Sequence, residues 1–431
     1  MSISIFPVVR KQGICGTPKI PGDKSISHRS LMFGAIASGT TEISNLLPSE
    51  DVFSTWKCLE AMGISISPKN RKVYVQGRGK KGLSAPHLPL DCGNSGTTIR
   101  LLMGILSGQP FSCTLTGDQS LRKRPMKRVA VPLREMGAEI TLDQGQLAPV
   151  LLKGTPALKP IHYQLNVASA QLKSAVILAG IFASGESKVS GLIKSRDHTE
   201  RMLPHFGLPI KVDDQSISII GRRPLYANSV KVPGDPSSAA FWIAAATLVK
   251  GSKVQIENCS LNPTRTGFMN ALIRMGAKID TELTSEKPEP VGTLLVSHQE
   301  LQGISICADD IPALIDELPL LAVLATQAKG TTLIRGAEEL RVKETDRIEA
   351  VAKNLRAMGA KIDVFDDGFA IEGPQKLRGA CIDSMDDHRI AMSFSIAGLV
   401  ADGTTEIMDA ECVRISYPNF FETLHDLAYQ S

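Results

Sequence analysis

A short stretch near the start of the chain carries cations where a helix is expected to begin. In "PGDKSISHR" (21–29), Lys24 and Ser25 follow Pro, Gly and Asp, and Arg29 comes one helical turn later. Free backbone N–H groups and the helix dipole at such a start favour phosphate or carboxylate groups. The stretch therefore predicts an anion-binding helix start, with a solvated N-terminal turn as the alternative.

A second candidate places glycine, serine and threonine ahead of an apolar helix, in "DCGNSGTTIRLLMGIL" (91–106). Gly93 and Gly96 would let the backbone approach an anion closely, and Thr97 is expected to cap the helix. The spacing matches neither the dinucleotide-binding G-x-G-x-x-G pattern nor the phosphate loop of NTPases. A ligand loop and an ordinary helix cap are both open at this point.

Five cations crowd into residues 122–128, within "LTGDQSLRKRPMKRV". A run of like charges is usually a solvated face, so we expect most of these side chains to lie in solvent. Two other polar stretches, "VASAQL" (167–172) and "SRDHTERML" (195–203), fall where strands are expected to give way to helices. Each of the two is compatible with a ligand site and with an ordinary polar loop.

Two carboxylates are expected in an apolar setting, because "DDIPALIDELPLLAVLA" (309–325) places Asp316 and Glu317 among aliphatic residues. A carboxylate held there must be paired or used, since burying it alone is costly. The stretch therefore predicts an acid with a partner or a catalytic role.

A mixed cluster follows in "LRVKETDRIEAVAKNL" (340–355). Lys343 and Arg347 are four residues apart, which predicts one shared helical face, and Glu344 lies beside them. Pairing on a helix surface is the alternative explanation.

The last predicted helix N-terminus that carries charged residues lies in "SMDDHRIAMSF" (384–394). It contains His388 and Arg389. Together these stretches supply anion-binding helix starts, cations and two or three carboxylates. The sequence shows no metal-ligand cluster, nucleophilic triad or dinucleotide fingerprint. The combination points to an enzyme that joins or cleaves two small anionic substrates by acid–base chemistry.

The elements that must position these residues repeat along the chain. A small-residue turn followed by a strand-like run recurs six times, with its glycine at Gly39, Gly108, Gly185, Gly251, Gly330 and Gly403. A second glycine, which ends an amphipathic helix and precedes an alternating run, occurs at Gly63, Gly137, Gly207, Gly276 and Gly359. Six copies of one α/β unit are therefore predicted.

Each copy also carries a helix rich in Ala and Ser before its turn, such as "SAQLKSAVILAGIFASG" (169–185), which predicts tightly packed, buried helices. The sixth copy ends in a helix at 417–428 without the final glycine and strand. We expect residues 1–20 to supply the missing strand.

This arrangement predicts two globules of three units each. One spans 21–232, and the other combines 1–20 with 233–431, with a hinge near 20–21 and 232–233. "PGD" occurs at both crossings, at 21–23 and 233–235. The helix after the second copy is poor in charge, and we expect it only to pack.

The composition favours a soluble protein and disfavours nucleic-acid-binding and membrane proteins. With 431 residues, 43% apolar and 21% charged, the chain is typical of a soluble protein of two domains. A net charge of +4 suits small anions better than nucleic acid. Eight Cys without metal spacing predict reduced, buried thiols. We expect neither a targeting segment nor a membrane span, and a cytoplasmic location.

Taken in order, these stretches closely resemble the 5-enolpyruvylshikimate-3-phosphate synthase family. The resemblance covers essentially the whole chain and is carried by "PGDKSISHR", "GNSGTTIRLL", "TGDQSLRKRPM", "SAQLKSA", "SRDHTERML", "IDELPLLA", "RVKETDRI" and "DDHRIAM". The wording of "GNSGTT", "SAQ" and "SRDHTE" is closer to the second bacterial subgroup than to the enteric type.

The resemblance implies an α/β (α+β) protein with the two-domain enolpyruvyl transferase fold, built from six βαβαββ units with helices packed inward. It implies transfer of the enolpyruvyl group of phosphoenolpyruvate to the 5-hydroxyl of shikimate 3-phosphate, with release of phosphate, in the shikimate pathway to aromatic amino acids. It also implies a tetrahedral ketal phosphate intermediate and no metal or organic cofactor. We expect a monomer that binds neither nucleic acid nor membrane.

The resemblance also assigns residues. The shikimate 3-phosphate side matches Lys24, Ser25, Arg29, Ser169, Ala170, Gln171, Arg196, Asp316 and Lys343. The phosphoenolpyruvate side matches Lys24, Asn94, Gly96, Arg124, Gln171, Arg347 and Arg389. The implied catalytic groups are Lys24, Asp316, Lys343 and Glu344.

Among these groups, Asp316 resembles the acceptor of the 5-hydroxyl proton, and Glu344 is a candidate to protonate the methylene carbon. Ala170 replaces a serine of some members, which leaves its backbone N–H as the expected donor. Many members carry a Lys where this chain has Ile415, with Arg414 beside it, so either Arg414 substitutes or the contact is missing. Gly96 leaves room for glyphosate, which resembles phosphoenolpyruvate, so we expect sensitivity to it.

Two rival interpretations exist. The sister transferase acting on UDP-N-acetylglucosamine shares the fold but uses a Cys on a mobile loop in the region of 113–125. Here Cys113 lies in a strand-like run, and the loop "DQSLRKRPM" has no Cys. A non-catalytic anion- or RNA-binding scaffold is disfavoured by the mild charge and by 5% aromatic residues, since such surfaces need basic stripes or stacking platforms.

Overall fold

A computed structural model of the protein describes residues 1–8 and 13–429. The chain divides into two compact units. The N-terminal unit is Gly22–Val232, and the C-terminal unit combines Met1–Pro21 with Pro233–Ser431. Each unit has its own hydrophobic core.

The helices and strands follow one another in a regular alternation. The opening segment forms β1 (Ile3–Ile5) and β2 (Cys15–Gly16). The N-terminal unit contains α1 (Lys24–Ile36), β3 (Ser38–Ser44), α2 (Glu50–Ala61), β4 (Ser65–Lys69), β5 (Lys72–Arg78), β6 (Leu90–Asp91), α3 (Gly96–Ser107), β7 (Ser112–Thr116), α4 (Lys127–Glu135), β8 (Glu139–Asp143), β9 (Leu147–Lys153), β10 (His162–Leu165), α5 (Ala170–Gly180), β11 (Glu186–Gly191), α6 (His198–His205), β12 (Ile210–Val212), β13 (Ser216–Ile220) and β14 (Val230–Lys231).

The C-terminal unit continues the same alternation. It contains α7 (Pro236–Leu248), β15 (Lys253–Ser260), α8 (Gly267–Arg274), β16 (Ile279–Ser285), β17 (Val291–Ser297), β18 (Ser305–Ile306), α9 (Ile311–Leu314), α10 (Leu318–Ala325), β19 (Gly330–Ile334), α11 (Arg347–Ala357), β20 (Asp363–Phe365), β21 (Gly368–Gly373), β22 (Cys381–Ile382), α12 (His388–Gly398), β23 (Thr405–Ile407) and α13 (Phe420–Tyr429). Short 3-10 turns occur at Leu121–Lys123, Ile315–Glu317, Glu338–Val342 and Ala410–Ile415.

The second repeat shows the common topology most directly. Its order in the chain is β6, α3, β7, α4, β8, β9, and its sheet order is β6-β7-β9-β8. The first two strands are parallel, joined through a helix, and the remaining pairs are antiparallel. The same sheet order recurs as β10-β11-β13-β12 and β18-β19-β21-β20. The predicted βαβαββ repeat is therefore present.

The first repeat of each unit takes its opening strand from a segment next to a crossing between the units. In the N-terminal unit β14 pairs in parallel with β3, Val230 lying opposite Ile43. In the C-terminal unit β2 pairs in parallel with β15, Cys15 lying opposite Lys253. The sixth repeat is completed by β1, which pairs antiparallel with β23. The prediction that the N-terminal segment supplies the missing strand is confirmed.

Glycines end the amphipathic helices as their spacing predicts. Gly63, Gly137, Gly207, Gly276 and Gly359 all have positive φ, between 79° and 109°. This conformation turns the chain out of a helix at little steric cost, because glycine lacks a Cβ atom. Each of these glycines is followed within a few residues by a strand of the repeat.

The helices rich in small residues are buried on nearly every side, as predicted. Every residue of α7 from Pro236 to Thr247 is buried, and so is every residue of α12. Small side chains allow these helices to lie close together in a densely packed core. The helix starts of α1, α3, α5, α7 and α12 are where the polar residues concentrate.

Some expectations need correction in detail. The last helix begins at Phe420 rather than at 417, because residues 410–415 form a 3-10 turn. All eight cysteines are free, but Cys15, Cys307 and Cys381 are exposed rather than buried. Within residues 1–8 and 13–429, no helix combines the length and apolar character that crossing a bilayer requires.

Candidate active site

The first predicted helix start has the expected geometry. Asp23 caps α1 by accepting a hydrogen bond from Ile26 N at 2.8 Å, so the helix begins at Lys24. Lys24 Nζ lies 3.0 Å from Asp51 Oδ2, and its side chain keeps 21% exposure. The ammonium group is thus held by one carboxylate while part of it faces solvent.

Arg29, one turn further along α1, is almost fully buried. Its guanidinium donates to Thr199 Oγ1 and Ser174 Oγ at 2.8 Å each, and to Ser25 O at 3.0 Å. These bonds tie α1 to α5 and α6 inside the N-terminal unit. Hydroxyl and carbonyl oxygens orient a guanidinium group without cancelling its charge.

The glycine-rich turn before α3 is capped by Ser95, not by Thr97. Ser95 Oγ accepts from Thr98 N at 3.1 Å, and α3 begins at Gly96. The expectation for Thr97 is wrong because the cap, and with it the start of the helix, lies two residues earlier than the spacing indicated. Thr97 instead accepts from Gln171 Nε2 at 3.1 Å.

Asn94, in the same turn, bridges an acid and a cation. Its Nδ2 donates to Asp118 Oδ2 at 2.7 Å, and its Oδ1 accepts from Arg124 Nη2 at 2.6 Å. Arg124 is buried, whereas Arg122, Lys123 and Lys127 of the same cation run are exposed. Most of the run is therefore the predicted solvated face, and Arg124 is its inward-pointing member.

Gly96 lies against two guanidinium groups. A Cβ added there would be 2.8 Å from Arg100 Nη1 and 3.5 Å from Arg124 Nη1. Arg100 is itself fixed, since it donates to Gln171 Oε1 at 2.6 Å and to Pro125 O at 3.2 Å. A glycine at this position keeps the turn open beside both cations.

The start of α5 brings further candidates to the same unit. Ser169 caps α5, with its Oγ accepting from Leu172 N at 3.4 Å, and Ala170 is the first helical residue. Arg196 is half-buried in the loop just before α6. With the residues above, these form what we call the first half-site, defined as Lys24, Ser25, Arg29, Asn94, Gly96, Arg124, Ser169, Ala170, Gln171 and Arg196.

In the C-terminal unit, two cations converge on one carboxylate. Lys343 Nζ and Arg347 Nη1 each lie 3.4 Å from Asp316 Oδ1. Glu344 Oε2 accepts from Arg347 Nη2 at 2.7 Å. We call Asp316, Lys343, Glu344, Arg347 and Arg389 the second half-site.

The helical placement predicted for this cluster is wrong. Lys343 follows the 3-10 turn Glu338–Val342, and α11 begins only at Arg347. Asp346 decides the start, because its side chain accepts from the backbone N–H groups of Ile348 and Glu349. Lys343 and Arg347 meet at Asp316 rather than along a helical face.

Arg347 is the centre of the second half-site. Its Nε donates to Asp387 Oδ2 at 2.8 Å, and its side chain is only 2% exposed. Burial alone would lower the pKa of this guanidinium, but the negative charges of Asp387, Glu344 and Asp316 outweigh burial and raise the pKa. Arg347 is therefore charged at every physiological pH.

Arg389 belongs to a second buried network. Its Nη1 lies 3.3 Å from Glu317 Oε1, and its backbone N donates to Asp387 Oδ1 at 2.8 Å, which caps α12. Glu317 is buried, whereas Asp316 beside it keeps 17% exposure of its side chain. The apolar setting thus encloses Glu317 in an ion pair and leaves Asp316 reachable.

The start of α7, which follows the second "PGD", takes part in a network of hydrogen bonds and ion pairs. Ser237, in the first turn of α7, donates through Oγ to Glu317 and accepts through Oγ from Arg265 Nη2 at 2.8 Å. Arg265 also pairs with Asp235 at 2.9 Å. The expectation that this helix start only packs is wrong, because the charges that it uses come from distant parts of the chain.

Ile415 and Arg414, the neighbouring residues considered for a cation contact near the C-terminus, differ in burial. Ile415 is buried in the core of the C-terminal unit, and Arg414 is exposed within the turn Ala410–Ile415. An isoleucine here fills the core and offers no cation, so only Arg414 could supply one.

Several polar residues near the half-sites were not singled out from sequence. They are Asp51 beside Lys24, Arg100 beside Gln171, Asp118 beside Asn94, and Asp387 beside Arg347. Most lie inside the quoted motifs, so the motifs contained them. Their pairing depends on contacts between residues far apart in the chain.

Comparison with known protein families identifies the family of this chain. The family described as EPSP synthase (3-phosphoshikimate 1-carboxyvinyltransferase) matches residues 9–424. The chain belongs to the EPSP synthase family. The predicted family membership is confirmed.

Relatives and structures agree with this membership. The chain is 50% identical over 420 residues to the 3-phosphoshikimate 1-carboxyvinyltransferase of Bacillus cytotoxicus, covering 97% of this chain and 99% of that protein. The Brevibacillus brevis protein of the same name is 51% identical over 421 residues, covering 97% of this chain and 98% of that protein. These relatives are transferases by name, as the sequence predicted for this chain.

EPSP synthase from Acinetobacter baumannii superposes with a TM-score of 0.88 at 44% identity, covering 99% of this chain and 98% of that one. The enolpyruvyl transferase NikO from Streptomyces tendae superposes with a TM-score of 0.80 at 18% identity, covering 98% of this chain and 96% of that one, which shows the shared fold. The predicted enolpyruvyl transferase fold is confirmed. Cys113, the cysteine nearest the rival's loop, is buried in β7, and burial raises the pKa of its thiol to about 12.

Proposed function

We propose that this member of the EPSP synthase family transfers the enolpyruvyl group of phosphoenolpyruvate to the 5-hydroxyl of shikimate 3-phosphate and releases phosphate. The observation that carries the proposal is the convergence of Lys343 and Arg347 on the partly exposed carboxylate of Asp316. The names of relatives that are 50% and 51% identical to this chain over 97% of its length support the proposal. We also propose that the enzyme acts as a cytoplasmic monomer.

The first half-site would hold the phosphate and hydroxyl groups of shikimate 3-phosphate. Ser25 and Ser169 stand at the starts of α1 and α5, where backbone N–H groups attract anions. Arg29 and Arg196 would add cations to this site. Because Arg29 is fixed by Thr199 and Ser174, its charge is oriented before the substrate arrives.

The residues that we propose as ligands of phosphoenolpyruvate belong to both half-sites. Gly96 provides space beside Arg124, and Lys24 keeps an ammonium group partly exposed. Arg347 and Arg389 would supply further positive charge. Two anionic substrates repel each other, so holding them with fixed cations lowers the barrier through proximity and charge stabilisation.

The reaction requires an acid and a base. Protonation of C3 of phosphoenolpyruvate by Glu344 makes C2 positive, and the 5-hydroxyl oxygen attacks C2 while Asp316 takes its proton. In the tetrahedral ketal phosphate, the carboxylate of Glu344 then takes a proton back from C3, the C2–C3 double bond forms again, and the bond from C2 to the phosphate oxygen breaks to release phosphate. Arg347 contacts both carboxylates and stays charged, so it can hold the acid and the base in register.

Phosphate release tests the proposed substrate pair. The purified enzyme is mixed with phosphoenolpyruvate and either shikimate 3-phosphate or UDP-N-acetylglucosamine. We expect phosphate only with shikimate 3-phosphate. Release with the nucleotide sugar instead would overturn the proposal.

We further propose that the units 22–232 and 1–21 with 233–431 are domains that close on the substrates about the crossings near 20–21 and 232–233. The proposed ligands are distributed over both units, so substrate binding favours a state in which both can reach it. Small-angle scattering should show a smaller radius of gyration after shikimate 3-phosphate is added. An unchanged radius after shikimate 3-phosphate is added would contradict domain closure.

A further inference from the structure

A buried ion pair lies behind the loop that carries Arg196. Lys173 is on α5, two residues after Gln171, and its side chain is 1% exposed. Its Nζ lies 2.7 Å from Oε1 of Glu200, which is on α6 and whose side chain is 5% exposed. Fully buried lysines are rare unless they are paired, so this pair needs a reason.

The remaining donors of Lys173 bind the backbone of one loop. Nζ donates to Ile193 O at 3.0 Å and to Ser195 O at 3.1 Å. An ammonium group has three N–H donors, and here three oxygens lie within reach of it. The loop is the irregular connection between β11 and α6, and Ser195 immediately precedes Arg196.

Stability alone does not explain a charged pair in this position. Replacing a buried ion pair by apolar residues of similar volume is often neutral or stabilising. An apolar side chain at 173 would fill the same space, but it could not bind two carbonyl oxygens. What the charge adds is therefore the position of the loop relative to the start of α5.

We propose that Lys173 and Glu200 are positioning residues for shikimate 3-phosphate. Lys173 fixes the backbone before Arg196 to the helix whose first turn presents Ser169, Ala170 and Gln171, and Glu200 supplies the counter-charge that keeps the ammonium buried. This inference rests on the proposed binding role of Arg196. The first turn of α6 supports both arginines that we propose for shikimate 3-phosphate. Glu200 pairs with Lys173, which holds the loop before Arg196, and Thr199 beside Glu200 accepts a hydrogen bond from Arg29.

The test uses a double substitution that removes both charges and keeps the volume, Lys173→Met with Glu200→Leu. Steady-state phosphate release is measured with each substrate varied, and the melting temperature with each protein. We expect a cooperative melt, a KM for shikimate 3-phosphate raised at least tenfold, and changes of less than threefold in kcat and in the KM for phosphoenolpyruvate. The matched control removes an exposed pair of the same unit, Lys153→Met with Glu139→Leu, and should match the wild type.

A cooperatively melting double variant with an unchanged KM for shikimate 3-phosphate would overturn the proposal, and so would an equal rise of both KM values. If the double variant does not fold, the single variant Glu200→Gln takes its place under the same criteria, and Lys173→Arg should restore part of the affinity that Lys173→Met loses. Wild-type turnover with shikimate 3-phosphate tests the proposed function separately. If the wild type lacks that turnover, the ratio of its dissociation constant for shikimate 3-phosphate to that of the variant still tests the positioning role.

Discussion

The two half-sites hold their arginines with different chemistry. In the N-terminal unit, Arg29 donates to hydroxyl groups and a carbonyl, and Arg124 donates to Asn94 and Ser120. In the C-terminal unit, Arg347 contacts three carboxylates, and Arg389 pairs with Glu317.

Under the proposed function, this difference would separate binding from proton transfer. Hydroxyl, amide and carbonyl groups orient a cation and do not cancel its charge. Carboxylates spaced around a cation give the second half-site groups that can accept and donate protons. We therefore expect substitution of Arg124 to act mainly on KM and substitution of Asp316 to act mainly on kcat.

The largest expected effect lies in the second half-site. Asp316→Asn should lower kcat by about 10²–10⁴-fold, the range for removing a general base, while binding of shikimate 3-phosphate stays measurable. Phosphate release and calorimetry give the two quantities. Asp310→Asn, which alters a partly exposed acid of the same repeat, is the control and should keep wild-type turnover. Full activity of Asp316→Asn would remove this residue from the mechanism.

Arg124→Gln should show the opposite behaviour. We expect its KM for phosphoenolpyruvate to rise about 10–100-fold, the loss of one charge-assisted contact, with kcat changed much less. Arg122→Gln, an exposed member of the same cation run, should behave as the wild type. A fall in kcat without a rise in KM would break the proposed division of labour.

Gly96→Ala should have a smaller effect of the same kind. The new methyl group would meet Arg100 Nη1, which is fixed by Gln171 and Pro125, so it must crowd the phosphoenolpyruvate side. We expect about a tenfold rise in the KM for phosphoenolpyruvate and a rise at least as large in the inhibition constant for glyphosate. An unaltered response to glyphosate would show that the inhibitor does not approach this glycine.

The smallest expected effect concerns stability beneath the first half-site. Burial lowers the pKa of His28 well below its usual 6.5, and the charges of Lys24 and Arg29 lower it further. The unfolded chain therefore takes up a proton near pH 6.5 that the folded protein does not. The associated stability is complete above that pH and falls by about 1 kcal/mol between pH 6.5 and 5.5.

Urea unfolding at the two pH values measures this loss. His28→Asn keeps a partner for Thr55 and should show about 1 kcal/mol less pH dependence than the wild type. His162→Asn, which alters an exposed histidine of the same unit, should show the wild-type dependence. Equal pH dependence in the wild type and His28→Asn would mean that His28 titrates in the folded protein.

The sequence was reliable where a feature depends on neighbours within a turn or two. The glycines that end α2 and α11, and Asp23 ahead of α1, act through local backbone geometry. It failed at Lys343, because an acidic cap at Asp346 delayed the helix, and at Thr97, because Ser95 was the better-placed cap. Competing caps differ by small free energies, which spacing alone does not rank.

The pairing of charges lay beyond the sequence for a different reason. Arg29 meets Thr199 across 170 residues, and Arg389 meets Ser237 across 152. The motif around Lys173 and the motif around Glu200 were both visible, yet nothing local indicated that one side chain would reach the other.

By itself, the sequence determined the six-fold repeat, the buried helices and the helix starts that carry charge, since periodicity and capping are local properties. Only the tertiary structure decided which acid pairs with which cation and which cation donates to hydroxyl, amide and carbonyl groups. The partner of a buried charge depends on how separate repeats pack, because only packing brings an opposite charge or a polar group within about 3 Å of it.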